Sequence, residues 1–505
     1  MTVLDPLEPG LDPALAALAD AILIPPFPGT TAPPWLLRAL ERGLAGVTLF
    51  GLNVTGDTAA LTADLRRAAT SEPVIAIDEE GGDVTRVGYA AGSPYPGNAA
   101  LGAVDDVALT RSVYAAMGAD LAGLGINLDL APCADVLAAD GSPVVGTRSF
   151  GPDTALVARH VAAAVTGLQS AGVAACTKHF PGHGSTGEDS HLSLATVAGT
   201  LDEIRRRDLP PFAAAIAAGS VAVMPGHLRI PELTGALPAT LSPAAVTGLL
   251  RGELGFGGVV ICDALEMKAA STTLGIPEAA VLAVLAGVDL LCLGRDTDEA
   301  MYHAVRAALA GAVTSGRLAG ARLEEAAHRV TGLRARLAAD RGGAGAGLPG
   351  SGAGVPGSGA SGSPGAGSGV GLAAARRALR RSGPVPASLA NPLVIEVEPR
   401  ENIAAGRFTW GFEPWADTVR VDPAAGHGAV HDVLEEAAGR SLVLAVRDAA
   451  SVLALVGAVL AARPDTVVID MGVPAWTPTP GTAYLATYGA SRVCAQAAAE
   501  ALGLA

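Results

Sequence analysis

The sequence predicts an α/β protein in two parts: an N-terminal (β/α)8 TIM-type barrel and, beyond a glycine-rich linker, a smaller C-terminal α/β sandwich domain. Three observations carry this expectation. Over residues 1–341, eight short β-rich runs alternate with Ala/Leu-rich helical stretches. Polar residues gather at the C-terminal ends of those runs, the face on which barrels of this kind build their sites. Residues 342–371 are then almost purely Gly, Ala, Ser and Pro, which separates the barrel from 372–505.

The eight runs are "AILIPPF" (21–27), "GVTLF" (46–50), "PVIAIDE" (73–79), "INLDLAP" (126–132), "AACTKHF" (174–180), "VAVMPGH" (221–227), "GVVICDA" (258–264) and "VDLLCLG" (288–294). Each is short, apolar and without strict alternation, as expected of strands buried on both faces. Helices fit between them, for example "PDTALVARHVAAAVTGLQSAG" and "SPAAVTGLLRGEL". In the second, Ser242 is expected to cap and Pro243 to open the first turn. A helical segment near 321–340 closes the barrel, with a doubly wound sheet as the alternative arrangement. Beyond the linker, "PLVIEVE", "TVRVD", "SLVLAVRD" and "TVVIDMG" alternate with Ala-rich helices. The GxGxxG-like matches inside the linker follow no strand and carry no nucleotide fingerprint.

Composition excludes several functions. Of 505 residues half are apolar and 16% charged, enough for a large core, and aromatics make up only 4%, so Ala, Val and Leu must build it. A net charge of −15 argues against a nucleic-acid footprint and against anionic membranes. The five cysteines are scattered without a CxxC, and buried thiols are the expectation. The N-terminal stretch lacks a basic region and an unbroken apolar span, so the cytoplasm is the expected location.

The stretch "KHFPGHGSTGEDSH", 178–191, holds three of the nine histidines. Pro181, Gly182 and Gly184 deny it a helix, so His179 and His183 lack the geometry of a helical chelate. A loop-borne metal set of His183, Asp189 and His191 stays open, as does a purely structural loop. Acid/base chemistry is the third reading. Asp189 and His191 stand two apart, so a short turn aims the carboxylate at an imidazole suited to give and take a proton near neutrality. Asp263, ending an apolar strand, is a candidate partner, although an Asp at that place also caps helices.

Together "KHFPGHGSTGEDSH", "CDALEM", "IDEEGGDVTR", "INLDLAPCADV", "VVGTRSFG", "IRRRDLPPF" and "VMPGHLRIPEL" resemble glycoside hydrolase family 3, within it the bacterial β-N-acetylglucosaminidase branch. The C-terminal "YLATYGASRVCAQ" is similar to the second domain of two-domain members. The resemblance implies a retaining mechanism with Asp263 as nucleophile and His191, oriented by Asp189, as general acid/base. It implies that Asp78, Arg86, Arg148, Lys178 and His179 hold the sugar, with Met224 and His227 lining the same pocket. Terminal β-linked GlcNAc of muropeptide fragments or chito-oligosaccharides is the substrate it implies, with no cofactor and no metal. Should His191 not be the acid/base group, Glu80 and Glu188 are next in line. Ala264 after the nucleophile, where β-glucosidases carry Trp, argues against that branch.

Three positions depart from the family pattern. Asp83 stands where Arg is usual, Glu79 where Gln is common, and Cys262 where Ser is usual. Three rivals to a hydrolase remain: a phosphorylase, since a neutral imidazole repels phosphate less than a carboxylate does, a metal-dependent hydrolase, and an inactive sugar-binding module.

Overall fold

Apolar runs too uniform to have a solvent face must be covered on both sides, and each of the eight becomes a parallel strand or strand end. The computed structural model describes residues 11–138, 144–186, 194–197, 199–272, 274–344, 368–398, 404–406, 411–423, 434–435, 437–447 and 449–505. The strands are β1 (Leu23–Ile24), β2 (Gly46–Leu49), β3 (Val74–Ile77), β4 (Leu128–Asp129), β5 (Ala174–Phe180), β6 (Ala195–Thr196), β7 (Ala222–Pro225), β8 (Leu228–Arg229), β9 (Val259–Val260) and β10 (Leu291–Cys292).

A curled parallel sheet runs β2-β3-β4-β5-β7-β9, and β10 pairs with β1 in the same sense. A parallel bridge between Ile261 and Leu290 joins the β9 and β10 segments. Thr48 N donates to the Pro25 carbonyl at 3.3 Å, which joins the β1 and β2 segments. Strands β2, β3, β5 and β7 are buried throughout. The ladder between β5 and β7 pairs Lys178 with Met224 and then Phe180 with Pro225, so His179 is the extra residue of a bulge. Gly184 is required where the following loop folds back: a Cβ there would lie 1.9 Å from the Val136 carbonyl. The small β6–β8 ladder, with a core of Val197, Ile204 and Ile230, has no counterpart among the sequence expectations.

Asp153 caps Thr154–Ser170 through the Leu156 amide at 2.6 Å, and Thr200 with Glu203 forms a capping box on Leu201–Arg207. Ser242 takes the expected cap place: its backbone is extended and its carbonyl accepts the Val246 N–H at 3.0 Å, while Pro243 already has helical dihedrals and opens the first turn. The wide-turned helix that follows runs Ala244–Glu253. At its far end Leu254 N reaches Leu249 O, a π-type turn.

The C-terminal sheet contains β11 (Arg380–Ser382), β12 (Leu393–Val397), β13 (Asp417–Val421), β14 (Leu442–Val446), β15 (Val467–Asp470) and β16 (Ala483–Ala486), in the order β11-β16-β15-β14-β12-β13. Only β11 is antiparallel among these pairings. Alternating side chains of β12 feed two cores: Val394 packs with Val443, Ile469 and Val493, while Leu393 and Ile395 pack with Leu444 and Val456. Strands β11 and β16 have no counterpart among the sequence expectations; β11 is fully exposed, whereas β16 is buried throughout and as long as β15.

By contacts the chain divides into two units that do not follow chain order. The first holds the described residues of Met1–Glu79, Tyr114–Pro143 and Pro152–Ser363, and the second those of Glu80–Val113, Val144–Gly151 and Pro364–Ala505. Two excursions from what the sequence presents as one 1–341 domain thus cluster with the C-terminal sheet. Of the 342–371 linker, residues 345–367 lie outside the described residues, and the ends belong to the helices Gly320–Ala344 and Ser368–Ala378.

Candidate active site

In the first unit the strand ends deliver an acid, a base and a carboxylate to one neighbourhood. Asp78 follows β3, and Lys178 lies in β5 with its Nζ 2.6 Å from Asp78 Oδ1. Only 2% of the lysine side chain is exposed, so the Asp78 carboxylate sets a counter-charge beside it where water does not reach. Met224, its ladder neighbour on β7, is buried. Asp263 follows β9, half-buried, with Oδ1 accepting from Ala264 N at 2.8 Å. The next helix begins at Lys268 behind Met267, so Asp263 is not its cap. His227 is buried, and its Nε2–H donates to the Ala264 carbonyl at 3.0 Å, tying the loop after β7 to the residue after Asp263.

Electrostatics place these charges together. Burial raises the Cys176 thiol far above its ordinary range, and Lys178, Asp78, Asp129 and Asp263 all act on it. Burial pushes the Cys292 thiol up to about 12, with Asp78 and Asp263 adding to the shift. All five cysteines are buried and free, as the sequence suggests. Beneath the site, Asp129 is fully buried, and one oxygen accepts from Glu79 N at 3.0 Å. Burial, reinforced by Glu79, lifts its carboxyl well above the usual range against the pull of Lys178.

His179 and His183 are organised by Asp135. Its Oδ1 accepts the backbone N–H groups of His183 (2.7 Å) and His179 (3.3 Å), and its Oδ2 accepts His179 Nδ1–H (2.8 Å) and the Cys133 thiol (2.9 Å). Burial works against the carboxylate, but the two imidazoles and the thiol overcome it and hold Asp135 well below the ordinary range. The imidazole of His179 therefore carries its proton on Nδ1 and, when neutral, presents Nε2 as an acceptor. Ligand atoms of Cys133, Asp135 and His179 lie within 4.8 Å of one another, a donor set of metal-binding type. Four hydrogen-bond donors already occupy the carboxylate, however, which suits a scaffold for the bulged strand better than a cation cage. Further along, Arg207 Nη2 reaches Ser185 Oγ at 2.7 Å and Asp208 at 2.8 Å. Burial pushes Asp208 up to about 6 despite that arginine.

The second unit holds the two arginines. Arg148 and Glu80 form a buried bidentate pair, Nε to Oε2 at 2.8 Å and Nη2 to Oε1 at 2.7 Å, which fills the role of Glu80 with charge pairing. Asp83 accepts the Thr147 hydroxyl at 2.6 Å and Ala490 N at 2.8 Å. Arg86 Nη1 donates to the Ala404 carbonyl at 2.9 Å. Asp189, His191 and Glu188 lie outside the described residues.

Asp135 and Asp129 are the residues that motif reading passes over. Both sit in "INLDLAPCADV", and the available signal is two acids in an otherwise apolar strand and its exit. An acid there must be bonded or neutral.

Residues 38–333 match the model of the glycosyl hydrolase family 3 N-terminal domain. A β-hexosaminidase of Stenotrophomonas maltophilia (strain K279a) is 39% identical over 303 residues, 56% of this chain and 89% of that protein. β-Hexosaminidase A of Pseudoalteromonas piscicida is 34% identical over 336 residues, 61% of this chain and 56% of that protein. Among solved structures, a glycoside hydrolase family 3 β-N-acetylglucosaminidase from Paenibacillus sp. str. FPU-7 superposes with a TM-score of 0.84 at 32% identity, over 96% of this chain and 95% of the other. With more than half of its length matched to the family's N-terminal domain, the chain is a glycoside hydrolase and belongs to glycosyl hydrolase family 3.

Proposed function

We propose that this enzyme is a retaining exo-β-N-acetylglucosaminidase, and that its curled sheet is a closed (β/α)8 barrel with a separate C-terminal sandwich domain. Its substrates are GlcNAc-terminated muropeptide fragments or short chito-oligosaccharides, and a recycling role would put it in the cytoplasm. The observation that carries the reading is Asp263: half-buried at a strand exit, not spent on a helix cap, and acting on the same Cys176 thiol as the hydrogen-bonded pair of Lys178 and Asp78. The activities named for the relatives point the same way.

In this mechanism Asp263 attacks the anomeric carbon while His191, oriented by Asp189, gives a proton to the departing oxygen. The glycosyl-aspartate is then opened by water as His191 takes the water's proton, and the Asp263 carboxylate leaves. Lys178 donates to a sugar hydroxyl while Asp78 accepts from one, which fixes the ring before bonds change. No cofactor enters. One assay tests the reading: aryl β-GlcNAc and aryl β-glucoside, each with and without phosphate. GlcNAc released at the same rate in both buffers is expected. Preference for the glucoside would sink the substrate assignment, and GlcNAc-1-phosphate would make phosphate the acceptor.

A further inference from the structure

The second unit joins the C-terminal third of the chain to the excursions that carry Arg86 and Arg148, and its contacts converge on this pair of arginines. Arg86 rests on the Ala404 carbonyl at 2.9 Å, and Val84, buried, packs with Ala404 and Ala405. Thr147, the neighbour of Arg148, donates to Asp83, whose other oxygen accepts Ala490 N at 2.8 Å. Arg447 Nη1 donates to the carbonyl of that same Ala490 at 3.1 Å. One residue after β16 is thus clamped from both sides, its N–H by Asp83 and its C=O by Arg447. The opposite charges of Asp83 and Arg447 act on each other. An arginine at position 83 would leave the Ala490 N–H without that acceptor and set two cations against each other. The departure at position 83 is therefore matched by the residue at 447.

We propose that Asp83, Arg447 and the backbone at Ala404 and Ala490 are positioning elements for Arg86 and Arg148, so that the C-terminal region shapes sugar binding without touching the reacting atoms. This rests on the assignment of both arginines to the sugar. In the full-length enzyme, Asp83→Asn and Arg447→Gln should each raise KM for aryl β-GlcNAc roughly 10-fold, with kcat falling less. Arg447→Lys, which keeps charge and donor, should restore most of the loss. In an Arg148→Ala background neither substitution should add its full effect, because the group that the Asp83–Thr147 contact positions is gone. Hydrogen exchange gives a readout independent of turnover: amides of 80–89 and 144–150 should exchange faster in Arg447→Gln. Unchanged exchange there, or losses that multiply fully with Arg148→Ala, overturns the proposal. A wild-type enzyme inactive on aryl β-GlcNAc overturns the functional assignment instead, and the exchange result still decides the coupling.

Discussion

Asp135 in the first unit and Glu80 in the second are both buried carboxylates that hold a basic group, and they do it by different physics. Asp135 spreads four hydrogen bonds over two backbone amides, a thiol and an imidazole, so it fixes the path of β5 and the loop after it even when His179 is neutral. Glu80 commits both oxygens to one guanidinium 68 residues away. The first arrangement is a geometric scaffold that tolerates a change of charge, and the second depends on two full charges neutralising each other in a dry place.

The largest expected effect tests whether the first unit carries the covalent chemistry at all. Asp263→Ala should lower kcat by about 10⁴-fold or more while the protein still unfolds in one cooperative transition, because the side chain is half-buried at a strand exit rather than part of the core. Turnover near wild-type would move the nucleophile elsewhere and take the comparison with it.

Next comes Asp135→Asn. An amide keeps one accepting oxygen, but its NH2 faces donors, so either His179 or the backbone pair loses its partner. Displacing His179 by about an ångström should cost roughly 10²-fold in kcat/KM. Stability should change with a defined sign. Because the folded carboxyl lies below its unfolded value, its contribution is present above the ordinary carboxylate range and is lost as pH falls through the folded value. The gap in midpoint between wild type and Asp135→Asn should therefore be widest near neutrality and close as the solution is acidified. A gap independent of pH would mean that the carboxylate's charge is not what holds the histidines.

How much of this was legible beforehand follows from the same contrast. Eight strands read correctly because burial on both faces leaves a run of apolar residues visible in one dimension. Lys178, Asp78 and Asp263 read as a group because strand ends converge on one face of a curled sheet. The Ser242–Pro243 start read correctly because cap and first-turn preferences act within two neighbouring residues, whereas the π-type turn at the far end of that helix has no such local signal. Asp135 was passed over because its partners are backbone amides, which have no letter in the sequence. The grouping of 80–113 and 144–151 with the C-terminal sheet was invisible for a third reason. It rests on pairs such as Asp83 with Ala490 and Arg86 with Ala404, separated by 407 and 318 residues.

Glu80→Gln sharpens the other half of the comparison. It removes one charge from the buried bidentate pair with Arg148, which should cost about 3–5 kcal/mol of stability in the second unit. Its effect on turnover should be smaller than that of Asp135→Asn and appear mainly in KM. If Glu80 were instead the acid/base group, the substitution would abolish kcat on glycosides with poor leaving groups and spare activated ones.

The smallest expected effect isolates burial from geometry. Arg376 and Glu500, on the helices Ser368–Ala378 and Arg492–Ala501, form the same bidentate pair as Arg148 and Glu80, at 2.6 and 2.7 Å. The difference is water: the Arg376 side chain is 55% exposed and that of Arg148 only 7%. Solvent and salt screen the exposed pair, and two long side chains lose rotamer freedom in forming it. Glu500 also keeps the Gln496 amide as a donor at 3.2 Å, so removing the arginine strands nothing. Arg376→Ala should leave the denaturation midpoint of the full-length enzyme unchanged within error and leave KM at the wild-type value. If Arg376→Ala destabilises the protein as much as Glu80→Gln does, then fork geometry rather than desolvation sets the worth of these pairs. The distinction drawn between the two buried carboxylates would then have to be rebuilt on geometry alone.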